Sequence, residues 1–151
     1  MKNIFTILAL TIGFSMNAQM VDNSIGCSAT TLSVAMGYYT QANGSISTAM
    51  GYNTDAIGGA STAMGDNTQA FGGASTAMGR YTEASGNYST AMGYNTDAIG
   101  GASTAMGRST TASDYASLVI GQYNSSGSSA TSATAFSTAN TAFVIGNGVD
   151  G

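Results

Sequence analysis

The sequence predicts an all-β fold, a parallel β-solenoid with 14 residues per coil, and three observations carry that prediction. Ser-Thr-Ala-Met-Gly occurs at 47–51, 61–65, 75–79, 89–93 and 103–107, always 14 residues apart. Between the copies lies a second unit of the same shape, as in Thr54-Asp55-Ala56-Ile57-Gly58, Thr68-Gln69-Ala70-Phe71-Gly72 and Thr82-Glu83-Ala84-Ser85-Gly86. Composition is the third. Charged residues make up 7% of the chain, Pro, His and Trp are absent, and Gly alone numbers 21. A globular domain carries about a quarter charged residues, and a disordered chain is rich in charge and Pro. Small residues at this density point to backbones packed very close together.

The repeating unit is seven residues, [Ser/Thr]-x-Ala-x-Gly-x-x, in two alternating flavours. It starts at Ser33-Val34-Ala35-Met36-Gly37 and runs to Ser117-Leu118-Val119-Ile120-Gly121. Within that span only Asp114, where Gly is expected, and Val119, where Ala is expected, break it. A heptad coiled coil would share the period, but Gly at every seventh position costs about 1 kcal/mol each in a helix. The repeat also lacks paired large apolar residues at a and d and charges at e and g. Five residues of alternating character and two turn residues fit a short strand and a corner. Two strands and two corners make one coil, and stacked coils make two parallel sheets.

The side-chain period of two sorts each strand into an inner and an outer face. Turning the second and fourth positions inward would stack Asp55, Gln69, Glu83 and Asp97 inside a narrow roll. Unpaired carboxylates there would cost several kcal/mol each. Ser/Thr, Ala and Gly are therefore expected inside. The outside of the second strand type is varied and polar. The outside of the first repeats Met36, Met50, Met64, Met78, Met92 and Met106 beside Thr48, Thr62, Thr76, Thr90 and Thr104. An exposed apolar stripe of that length marks an interface, and ladders parallel to the coil axis are best met by identical neighbours around a shared axis, a homo-oligomer.

These units resemble the YadA-like head of trimeric autotransporter adhesins over about Ser33 to Gly121. The resemblance implies a left-handed β-roll that assembles as a homotrimer, with the Met and Thr ladders facing the threefold axis. It also implies a secreted, bacterial cell-surface adhesin head, associated with the outer membrane through a C-terminal anchor, that binds extracellular matrix or another surface ligand. The collagen-binding motif of such heads resembles Asn-Ser-Val-Ala-Ile-Gly; the nearest stretch here, Leu32-Ser33-Val34-Ala35-Met36-Gly37, lacks the Asn.

Along the chain, Lys2, the apolar stretch Ile4 to Phe14 and the small Ala18 before Gln19 read as a signal peptide at 1–18. A lead-in segment follows at 19–31, then the roll at 32–121, then a looser cap region at 122–151. That last part has a Ser-rich run, Ser125 to Ser132, and the apolar residues Phe136, Phe143, Val144 and Ile145. The family's neck, stalk and membrane barrel have no counterpart here, so the sequence is expected to be C-terminally incomplete, and it contains no membrane span of its own. Cys27 is the single cysteine, so no internal disulfide framework is expected. Ser24-Ile25-Gly26-Cys27 is a faint match to a lipoprotein box, with a free or inter-chain thiol as the alternative.

Chemistry is not expected. With no His, no Cys pair and no cluster of acids in sequence, neither a catalytic base nor a metal or cofactor site is apparent. Asp55 and Asp97 stand three coils apart, roughly 14 Å, too far to act on one bond. Beyond Lys2, only Arg80 and Arg108 are basic against seven acidic residues, which argues against nucleic acid. The corner after each Met strand carries Tyr38, Tyr52, Tyr94, Arg80 and Arg108; exposed aromatics and Arg suit ligand contact. Two other readings stay open. One is an ice-binding solenoid presenting the Thr ladder, although its partner column is Met. The other is a structural fibre segment with no ligand of its own.

Overall fold

A computed structural model describes residues 28–29, 32–124 and 132–148. The expected signal peptide, Cys27 and most of the Ser-rich run lie outside these residues. The described part is a parallel β-solenoid of about six coils, without helix. Its long strands are β2 (Val34–Tyr38), β4 (Thr48–Tyr52), β6 (Thr62–Asp66), β8 (Thr76–Arg80), β10 (Thr90–Tyr94), β12 (Thr104–Arg108), β14 (Leu118–Gln122) and β15 (Phe143–Asn147). They stack in the order β15-β14-β12-β10-β8-β6-β4-β2. Two-residue strands form the opposite sheet: β1 (Ser28–Ala29), β3 (Gln41–Ala42), β5 (Asp55–Ala56), β7 (Gln69–Ala70), β9 (Glu83–Ala84), β11 (Asp97–Ala98) and β13 (Thr111–Ala112). Inside the repeat each residue pairs with the one 14 positions on, so Thr76 meets Thr90 and Met78 meets Met92.

The core is a double column of methyl groups. Twelve alanines, from Ala35 to Ala112, are fully buried, with Val119 above them. Ser47, Ser61 and Ser75 and Thr54, Thr68 and Thr82 alternate with them inside. Only side chains this small fit between sheets so close. At about 0.8 kcal/mol per buried methylene such a core contributes little, and the backbone ladders between coils carry much of the cohesion. The interior also has a cost: the hydroxyls of Thr54, Thr68, Thr82, Thr96 and Thr110 are buried with no hydrogen-bond partner among the described residues.

The glycines divide into two kinds, which corrects the expectation that all of them face inward. Gly58, Gly72 and Gly86 are buried, whereas Gly51, Gly79 and Gly93 are exposed. The second kind marks where the long strand bends towards its corner. Gly79 has φ +122°, and a Cβ there would lie 2.0 Å from the carbonyl oxygen of Gly93. The left-handed residue of each corner is not a glycine. Asn53, Asn67 and Asn95 take that conformation at one corner, and Ala60, Ala74 and Ala102 at the other.

The break at Asp114 has a physical reason. It occupies the column of Gly86 and Gly100, where each Cβ would run into the backbone of the following coil. Among the described residues no strand of that sheet stacks beyond β13, so a side chain has room. The Asp114 carboxylate, 2% exposed, accepts hydrogen bonds from the Ser132 amide at 3.2 Å and the Thr141 amide at 2.9 Å. It thereby fastens the segment that leads into β15. That last strand continues the long-strand sheet, pairing Val144 with Val119 and Ile145 with Ile120.

Candidate functional site

The outside of the long-strand sheet carries two unbroken columns. One runs Met36, Met50, Met64, Met78, Met92, Met106, Ile120 and Ile145; the other runs Val34, Thr48, Thr62, Thr76, Thr90, Thr104, Leu118 and Phe143. The Met side chains stand outside the alanine core, and Met50 is 37% exposed. The apolar ends of both columns, Val34, Leu118, Phe143, Ile120 and Ile145, are missed when only Ser-Thr-Ala-Met-Gly copies are followed. The related Ser117–Gly121 unit signals them.

At the edge of this face the strands end in a second column: Tyr38, Tyr52, Asp66, Arg80, Tyr94 and Arg108. The predicted contact residues thus share one ridge, but they do not form one cluster. Tyr38 and Tyr52 stack at one end, with ring centroids 5.5 Å apart and planes 8° from parallel. The hydrogen bond that the neutral Tyr38 hydroxyl makes with the neighbouring Tyr39, and then the electrostatic influence of Tyr39, hold the Tyr38 phenol above its ordinary pKa. Arg80 lies 4.8 Å above the Tyr81 ring and 3.0 Å from the Asp66 carboxylate. Arg108 lies over Tyr94 and Tyr123. Both guanidinium groups are therefore spread on aromatic faces.

Around the corner lies a trough that reading the repeat did not single out. Asn53, Asn67, Tyr81 and Asn95 line it on the corner side, and Gln69, Glu83 and Asp97 on the side of the short strands, enclosing about 320 Å³. The sequence comparison of Asp55 with Asp97 overlooked the nearer pair. Glu83 and Asp97 are direct neighbours on β9 and β11, because the coil brings together residues 14 apart. Burial, and then the Glu83 charge, push the Asp97 carboxyl above its usual range. Asp55 is raised by burial, which a hydrogen bond with Gln69 opposes.

No group of three or more His, Cys, Asp or Glu among the described residues could hold a metal ion. No helix among them is long and apolar enough to cross a membrane.

The model of the YadA head domain repeat fits residues 31–54, 56–82, 72–96 and 98–124. These segments take in every long strand from β2 to β14. Neither a curated protein nor a solved structure matches the chain. With well over half of its residues matched and each match falling on the stacked coils, the chain belongs to the YadA head domain repeat family.

Proposed function

We propose that this chain is the head of a secreted, cell-surface adhesin, non-catalytic and homotrimeric, that attaches to matrix protein or another exposed surface. The observation that carries the reading is the continuous apolar column from Met36 to Ile145 on the outside of the long-strand sheet. A column of this length, open on an alanine-cored roll, is suited to burial against copies of itself. Its family is built from repeats of this kind in trimeric adhesins. The stacked Tyr38 and Tyr52, and Tyr94 with Arg80 and Arg108, remain at the rim of that face, available for ligand contact.

The test is the solution mass of the mature chain across a dilution series, together with adhesion to immobilised matrix proteins. The expected result is a trimer that resists dilution. Met78→Glu, which forces a charge into the shared apolar column, is expected to reduce it to monomer. Tyr52→Ser combined with Tyr94→Ser is expected to leave the trimer intact and to weaken adhesion. A wild-type chain that is a monodisperse monomer overturns the assembly. That outcome would favour the ice-binding reading, since the Thr48 to Thr104 ladder is in register from coil to coil and would then be free.

A further inference from the structure

The trough beside Tyr81 is built for a ligand of a particular chemistry. Its lining is one aromatic ring, Tyr81, a set of planar amides and carboxylates, and the buried Thr82, with no Val, Leu, Ile or Met side chain. Carboxylate and amide oxygens accept hydrogen bonds, amide NH2 groups donate them, and an aromatic face packs against apolar C–H surface. A sugar ring presents all three counterparts: hydroxyl donors, hydroxyl acceptors and a C–H face.

Part of this hydrogen-bonding capacity is already committed within the protein. The Asn53 amide donates to Asn67 at 2.6 Å, the Asn67 amide donates to Asp66, and Ser85 donates to Glu83. Asp97 is different. It is half-buried, its carboxylate receives no hydrogen bond from any described residue, and its nearest charged neighbour is another carboxylate. Such a group is stabilised by any donor that enters the trough.

Charge and geometry narrow the ligand further. Glu83 and Asp97 together repel uronic or sulfated chains and favour uncharged or ammonium-bearing ones. A bound cation fits less well, because no three acidic side chains meet here and most of calcium's six to eight oxygens would have to come from neutral amides. The trough follows the coil axis, where chemically similar positions recur about every 4.8 Å, so an elongated ligand finds successive contacts. Its floor is the short-strand sheet opposite the Met column and its wall is the corner, so assembly through that column would leave it open.

We propose that this trough binds a linear glycan of neutral or amine-bearing sugars, with one ring on Tyr81 and its hydroxyl or ammonium groups on Asp97, Glu83 and Asn95. The assignment rests on the adhesin reading and gives it a ligand class.

The experiment is calorimetric titration of the full chain with β-1,4-linked N-acetylglucosamine hexamer, with its deacetylated form and with heparin, each with and without EDTA. Both hexamers are expected to bind, the deacetylated one more tightly, with heparin inert and EDTA without effect. Asp97→Asn is expected to weaken the deacetylated hexamer about tenfold, equivalent to about 1.4 kcal/mol. Tyr81→Ala, with a left-handed backbone that alanine adopts at the other corner in Ala60, Ala74 and Ala102, is expected to weaken both, with the circular dichroism spectrum unchanged. The proposal is overturned if neither hexamer binds, if both variants bind as wild type, if heparin is preferred, or if EDTA abolishes binding. Tyr52→Ser separates the two readings. Adhesion that depends on Tyr52 while no hexamer binds sinks the trough alone, whereas a monomeric chain that binds hexamer sinks the trimeric assembly alone.

Discussion

Single positions in this roll are judged by room and by hydrogen bonding, and the two criteria pull in opposite directions. At Gly79 there is no room, since an added Cβ would meet the Gly93 carbonyl at 2.0 Å in a backbone conformation that L-residues rarely adopt. Gly79→Ala is expected to destabilise the protein by about 3 kcal/mol or more, combining backbone strain with overpacking. At Thr68 there is room but no partner: its hydroxyl is buried and unbonded. Thr68→Val keeps the shape and removes the unsatisfied group, so it is expected to raise stability by about 1 kcal/mol. Urea unfolding of both variants checks the pair, and a destabilised Thr68→Val would mean that the hydroxyl has a partner after all.

Among the elements, the last coil differs from those it follows. Asp114 replaces the column's glycine and ties the amides of Ser132 and Thr141 to the roll. Hydrogen bonds to charged groups are worth about 1.5–3 kcal/mol each. Asp114→Ala is therefore expected to release β15 while β2 to β12 keep their ladders. Hydrogen exchange would report this as lost protection at Thr141 and through 143–147, with protection at Thr76–Arg80 unchanged. Uniform loss across both regions would mean that the whole roll unfolds as one unit.

The strands themselves were legible in the sequence, because residues that recur every seven positions leave few ways to alternate. The inside was legible from the carboxylates of Asp55, Glu83 and Asp97, which exclude the opposite choice. What Asp114 does was not legible, since a broken repeat shows that something differs and not which amides lie within reach. The trough was missed for a related reason. Asn53 and Tyr81 belong to one column of the repeat and Gln69 and Asp97 to another, and only the corner geometry brings the two columns into one concavity.

At the scale of the whole molecule the repeat makes the coils nearly interchangeable. Residues 47–60 and 89–102 have the same sequence, and each coil touches chiefly the one before and the one after. Stability is then close to a sum over coils and their contacts. Deleting 47–60 joins the coil 33–46 to the coil 61–74 with every ladder position matched. The shortened chain is expected to fold with the same β-type dichroism per residue and a modestly lower Tm. An unfolded product would show that some pair outside the ladders, and not the stacking itself, holds the roll together.

The stacked register also decides how the molecule behaves under load. A coil adds only about 4.8 Å to the rod while folded, yet its 14 residues reach roughly 45 Å when drawn straight. Pulled from one end, the chain would unwind one coil at a time, each peeling at a similar force because each is held by the same contacts. A tether made this way yields in steps and dissipates energy at every step, so a sudden tug is absorbed as added length before it reaches the bond at the tip.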